Sequence, residues 1–135
     1  MKRLFLIMMF ILILLVGRNN TSDKVTITTD RNSYTPAMSS AQGIKMTPIF
    51  VTKKSNENLI YHWKTTEGEF IGKGKEANTQ GEYVVWSAVE NNKVVDIKKS
   101  FDVKLEVIDS ESKKVLATAK VTITPNNGFY EVKKR

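Results

Sequence analysis

Hydrophobic and polar positions alternate with a period of two along most of this chain. Val25, Ile27 and Thr29 alternate with Lys24, Thr26 and Thr28, which predicts a strand with one apolar and one polar face. Leu59, Tyr61 and Trp63 do the same against Ile60, His62 and Lys64. In Phe101–Val107, four apolar residues alternate with Asp102, Lys104 and Glu106, and Ala117, Ala119, Val121 and Ile123 alternate with Thr118, Lys120, Thr122 and Thr124. The polar stretch Asp109-Ser110-Glu111-Ser112-Lys113-Lys114 between these last two is short enough for a hairpin, hence for antiparallel pairing.

Three further segments complete the pattern. Ile44 to Val51 reads as a strand broken or bulged near Pro48, because proline donates no ladder hydrogen bond. Tyr83 to Ala88 is short and rich in β-formers, which favours a strand over a helix. Thr65 to Glu82 contains Gly68, Gly72, Gly74 and Gly81 and reads as turns around a short edge strand at Glu69-Phe70-Ile71. The expectation is therefore an all-β, antiparallel sandwich of about seven strands, although a small barrel fits the same pattern. Its core is expected to contain Ile27, Tyr61, Trp63, Val103, Leu105, Val107, Val121 and Ile123, which share one phase of four segments.

The first eighteen residues have a different character. Met1-Lys2-Arg3 is basic, Leu4 to Val16 is an unbroken apolar run of 13, and Gly17-Arg18-Asn19-Asn20 returns to small and polar residues, the layout of a secretory signal. As a helix that run rises only about 20 Å, short of the roughly 30 Å of hydrocarbon in a bilayer. Residues 1–18 are thus expected to be a signal peptide or short anchor, with cleavage between Gly17 and Ser22, and residues 19–135 a single domain with a basic tail. Leu15-Val16-Gly17 resembles the start of a bacterial lipoprotein signal, but Arg18 stands where that family has its lipid-bearing Cys.

Charge follows the same division. The net +7 owes six of its surplus charges to Lys2, Arg3, Arg18, Lys133, Lys134 and Arg135, so the body carries about +1. That body lacks the basic stripe a nucleic-acid binder sets against phosphates. With no Cys there are no disulfides, thiolate metal sites or thiol nucleophiles. His62 is the only imidazole, and alternation puts it opposite Tyr61 and Trp63, as a half-exposed strand residue. One His and no Cys leave only carboxylates to complete a zinc site. Gly72-Lys73-Gly74-Lys75 lacks the spacing of a phosphate loop and reads as a basic turn, and Asp109, Ser110 and Glu111 read as a solvated hairpin tip. No catalytic residue, cofactor or metal is assigned. Trp63 belongs to the core, whereas Trp86, with the face of its strand undetermined, and Phe129 and Tyr130, after the Pro125-Asn126-Asn127-Gly128 turn, form a possible binding surface. Those last two, with Val132, otherwise add an edge strand.

The Tyr61-His62-Trp63 strand, the glycine-rich middle, the strand from Phe101 to Val107 and the Thr-rich strand through Val121-Thr122-Ile123-Thr124 together resemble a bacterial immunoglobulin-like or PKD-like extracytoplasmic domain. The resemblance implies an immunoglobulin-like sandwich without the Cys pair of antibody domains. Trp63–Phe70, Trp86-Ser87 and Gly128–Val132 are more weakly similar to exported domains that accompany β-lactam sensor-type membrane metallopeptidases, yet the chain has no His-Glu-x-x-His motif. The expected function is an exported, cell-surface-associated binding or interaction module that is not an enzyme. Its expected partner is an unknown protein or cell-envelope component, with membrane contact through the amino-terminal segment if it is uncleaved. The alternatives are an accessory or sensing domain of a membrane peptidase system, or a small hydrolase using His62.

Overall fold

The computed structural model describes residues 23–38, 40–53 and 58–133, so the signal-like segment lies outside the described residues. Twelve strands follow in order: β1 (Lys24–Thr29), β2 (Ser33–Tyr34), β3 (Ile44–Val51), β4 (Leu59–Thr65), β5 (Glu69–Phe70), β6 (Glu76–Thr79), β7 (Val84–Ser87), β8 (Val89–Glu90), β9 (Lys93–Val94), β10 (Phe101–Asp109), β11 (Val115–Asn126) and β12 (Phe129–Lys133). No helix occurs among the described residues. The first sheet has the order β1-β3-β7-β5, the second β2-β12-β11-β10-β4-β6, and β8 and β9 form a separate hairpin. All named pairings are antiparallel.

The two larger sheets pack face to face through the residues that alternation turns inward. Trp86 and Phe70 of the first sheet meet Phe101, Tyr130, Tyr34 and Trp63 of the second, with ring centroids 5.3–6.2 Å apart in the contacts Trp86–Phe101, Trp86–Tyr130, Tyr34–Trp86 and Trp63–Phe70. All eight residues assigned to the core from their phase are buried. β10 is their centre: Phe101, Val103, Leu105 and Val107 point inward, while β4 and β11 pair with its two edges.

Two expectations about strands need correction. β3 is not broken at Pro48: its pairing with β1 runs without a shift from Thr29↔Met46 through Ile27↔Pro48 to Lys24↔Val51. The ladder to β7 has already ended at Met46↔Val84, so on that side the proline interrupts nothing. The count of seven was also low, since it missed β2, β6 and the β8–β9 hairpin. Phe129 to Lys133 do form an added strand, β12, which pairs with the last part of β11 and with β2.

Register also sorts the connections between the two ends of the molecule. Lys24 pairs with Val51 and Asp109 with Leu59, so the start of β1, the end of β3, the start of β4 and the β10–β11 hairpin share one end. The described residues of 30–43, the turn after β4, the β8–β9 hairpin and the Asn127-Gly128 turn lie at the opposite end. Six residues of β1 separate the two, about 20 Å at strand rise.

Candidate functional site

At the end remote from Asp23, a groove of about 390 Å³ opens between the segment after β2, the turn after β5 and the β8–β9 hairpin. Each wall has a local cause. The hairpin turns on Asn91 and Asn92, both at positive φ (51° and 65°), the geometry of a two-residue turn whose twist matches paired strands. It presents Val89 and Val94 to the groove. The turn after β5 is closed by hydrogen bonds from the Lys73 and Gly74 N–H groups to the Phe70 carbonyl, at 2.9 and 3.1 Å, and presents Ile71. The third wall carries Met38. Met38, Ile71 and Val94 are all exposed.

The floor is polar and almost dry. Tyr34 and Ser87 are 2% and 3% exposed, and their hydroxyls share one hydrogen bond of 3.1 Å. Glu69 stands at the side, its Oε1 accepting from the Asn91 N–H at 3.4 Å. Apolar walls with a few convergent polar groups are the usual make-up of a small-ligand cleft, and the volume falls in the typical range of roughly 300–1,000 Å³. A larger hollow of about 880 Å³ lies under β1, against Val25, Ile27, Leu105, Ala119 and Val121. These are inward-phase side chains of β1, β10 and β11; Thr26, Thr28, Lys104, Glu106, Thr118 and Lys120 line it as well. It offers no comparable set of buried polar side chains.

The groove rests on Trp86, which is fully buried. Its Nε1–H donates to the Glu67 carbonyl at 2.8 Å, its ring lies against Tyr34, Phe101 and Tyr130, and the next residue is Ser87 of the floor. Tyr130 in turn donates its hydroxyl to the Val95 carbonyl at 3.1 Å and accepts from the Ile97 N–H at 3.2 Å, which ties down the chain leaving the hairpin. Of the possible binding surface of Trp86, Phe129 and Tyr130, Trp86 and Tyr130 are buried rather than exposed, which corrects that reading. Trp86 is enclosed because its strand turns it between the sheets; Tyr130 is enclosed because β12 lies between β11 and β2. Only Phe129 of the three is exposed, and it is not among the residues lining the groove.

Close approach of backbone to Trp86 also explains Gly68. It has φ of 67°, and a Cβ there meets the Ser87 carbonyl oxygen and comes 2.8 Å from the Trp86 ring. Gly72 has a similar φ of 75° but open space around it. Gly68→Ala is expected to cost about 2–3 kcal/mol, against about 1 kcal/mol for Gly72→Ala, because only the first adds a clash to the left-handed backbone. Urea unfolding of the two variants measures the difference, and equal losses would contradict the packing described.

Glu90 and Lys75 brace the same region. Lys75 Nζ lies 2.6 Å from Glu90 Oε1 and also donates to the carbonyls of Thr66 and Gly68 at 3.2 Å, while Glu90 accepts the Gly68 N–H at 3.0 Å. The basic turn read from Gly72-Lys73-Gly74-Lys75 is thus partly a clasp between β8 and the turn after β4. The Lys75 hydrogen bond holds the Glu90 carboxyl below its ordinary value, and the Thr122 hydroxyl followed by Lys120 does so for Asp102. For Asp30, burial pushes upward but is outweighed by Arg31 and the Lys45 N–H. Folded values below unfolded ones mean that these groups stabilise the protein above the unfolded range of about 3.8–4.5 and cease to do so as pH falls through the folded values. Thermal melts are therefore expected to be flat from pH 7 to about 5 and to drop below about 4; a melting temperature that rises on acidification would refute this.

The remaining sequence candidates lie elsewhere. His62 is on the outer face of the second sheet, 27% exposed, with Nε2 3.9 Å from Glu76 Oε2 and Lys64 beside the same carboxylate. Asp109 uses Oδ1 to accept the N–H groups of Glu111 and Ser112, and Glu111 accepts from Asn58, so the hairpin tip holds its own turn. No three of His, Asp and Glu gather as a metal-binding group among the described residues.

The groove was not foreseen from sequence. The readable signal was Asn91-Asn92 between Val89-Glu90 and Lys93-Val94, a hairpin turn pair flanked by β-formers. Comparison with protein-family models, with curated proteins and with solved structures gave no match.

Proposed function

We propose that this chain is an exported, immunoglobulin-like binding module, and that the groove between Met38, Ile71 and Val94 is its binding surface. The observation that carries the reading is the groove itself: exposed apolar walls over a buried Tyr34–Ser87 hydroxyl pair. The immunoglobulin-like part is supported by strand order. β1, β3, β7 and β5 correspond to the A-B-E-D sheet and β11, β10 and β4 to G-F-C, with β6, β12 and β2 as additions and Trp63 on the C-equivalent strand.

Export is supported by the basic start and apolar run of residues 1–18. Asp23, the first described residue, is at the opposite end from the groove. A chain held by its amino end at a membrane presents the groove outward; a released one presents it to any envelope component. The proposal is tested by co-sedimentation of the purified domain with washed envelopes from the cells that make it. Ile71→Glu with Val94→Glu is expected to abolish retention at an unchanged melting temperature, since both side chains are already exposed. Retention equal to the parent domain would remove the groove from the function.

A further inference from the structure

Resting on that reading of the groove, we infer that its ligand carries a protonated primary amine on an apolar chain, as a free alkylamine or a lysyl side chain does. Glu69 is the one charged side chain among the described residues that line the groove. Its Oε1 holds a long hydrogen bond to the Asn91 N–H, and its Oε2 accepts no hydrogen bond among the described residues. Lys73, on the turn after β5, and Lys93, on β9, are exposed and outside the lining, and Lys75 is engaged by Glu90.

The hydroxyl pair sharpens the choice. Tyr34 and Ser87 supply two O–H donors and four lone pairs and use one of each in their mutual bond, so three lone pairs and one O–H remain between them. An ammonium brings three donors and a positive charge and no acceptor. It matches a floor of hydroxyl oxygens beside a carboxylate. A carboxylate or phosphate ligand there would face Glu69 with like charge in a partly dry site. The ammonium needs an apolar body to cover Met38, Ile71 and Val94, and about 390 Å³ accommodates a chain of lysyl length with room for its attachment.

Titration of the isotope-labelled protein at pH 7, followed by amide NMR, separates the possibilities. The probes are n-hexylamine, 1-hexanol, hexanoate and Nα-acetyl-lysine N-methylamide. Hexylamine is expected to shift the amides of Glu69, Ile71, Ser87 and Val94 with a Kd at least tenfold below that of hexanol, and hexanoate to bind more weakly than either. Glu69→Gln keeps an acceptor for Asn91 and is expected to bring hexylamine to the level of hexanol. A lysine derivative that binds as well as hexylamine identifies the lysyl source, and a weaker one the free amine. Hexanol or hexanoate matching hexylamine, or an undiminished preference in Glu69→Gln, overturns the amine class while leaving the groove as a site. If no probe moves these amides, the amine class falls, and the envelope experiment alone decides whether the groove binds.

Discussion

Trp86→Ala is expected to lower stability by about 3–5 kcal/mol, as large aromatic truncations in packed cores do. Trp86 is fully buried, lies within 5.3–6.2 Å of three aromatic rings and spends its indole N–H on the Glu67 carbonyl. The alanine variant removes all of this and leaves the Glu67 carbonyl with the Thr65 hydroxyl alone and the Tyr34 ring with Tyr130 alone. A finer comparison separates packing from hydrogen bonding. Trp63 is equally buried, but its Nε1–H meets no acceptor among the described residues, and a buried unsatisfied donor costs about 1–3 kcal/mol. Trp63→Phe therefore gives back part of what it loses in volume, whereas Trp86→Phe forfeits a made bond. Chemical denaturation of both phenylalanine variants is expected to rank Trp86→Phe as the more damaging; the reverse order would contradict these environments. Because Ser87 adjoins Trp86, the alanine variant is also expected to broaden the groove amides in an NMR spectrum.

Leu105→Ala is expected to cost about 3–5 kcal/mol, in the upper part of the range for buried leucines. Leu105 is fully buried on β10 and faces the hollow under β1. The cost of a truncated core side chain rises with the volume left unfilled. Here the new space opens into one that already exists, beside the short Ala119, so the walls have little with which to collapse. Equilibrium unfolding in urea gives the value, and a loss below about 1 kcal/mol would mean that the hollow closes over the change.

These two positions differ in how far the sequence reveals them. Leu105 is flanked by Asp102, Lys104 and Glu106 in strict alternation, so a single burial requirement fixes its face and its neighbours'. Trp86 sits in Val84-Val85-Trp86-Ser87-Ala88, where Val84 and Val85 occupy both phases and leave the face open; the contacts that enclose it come from β2, β10 and β12, which are distant in sequence. Tyr130 was ambiguous for the same reason, since its burial depends on β2, a strand of two residues. The Asn127-Gly128 turn, at φ of 50° and 82°, was legible as a turn, and the strand beyond it followed from pairing with β11. The groove was hidden because its walls are turns and a two-residue hairpin, whose chemistry is local but whose convergence is set by the sheets beneath them. Glu69, Tyr34 and Ser87 carry no spacing pattern that joins them.

The central claim is that this domain stands outside the cytoplasm with the groove facing outward, and the absence of Cys from the chain allows a direct measurement. Val94, on the hairpin wall, is 66% exposed, so Val94→Cys supplies a single accessible thiol at the site. A membrane-impermeant maleimide added to intact cells that make this variant is expected to label it, and n-hexylamine is expected to slow that labelling. Labelling that requires lysis of the cells would place the domain in the cytoplasm and contradict the claim.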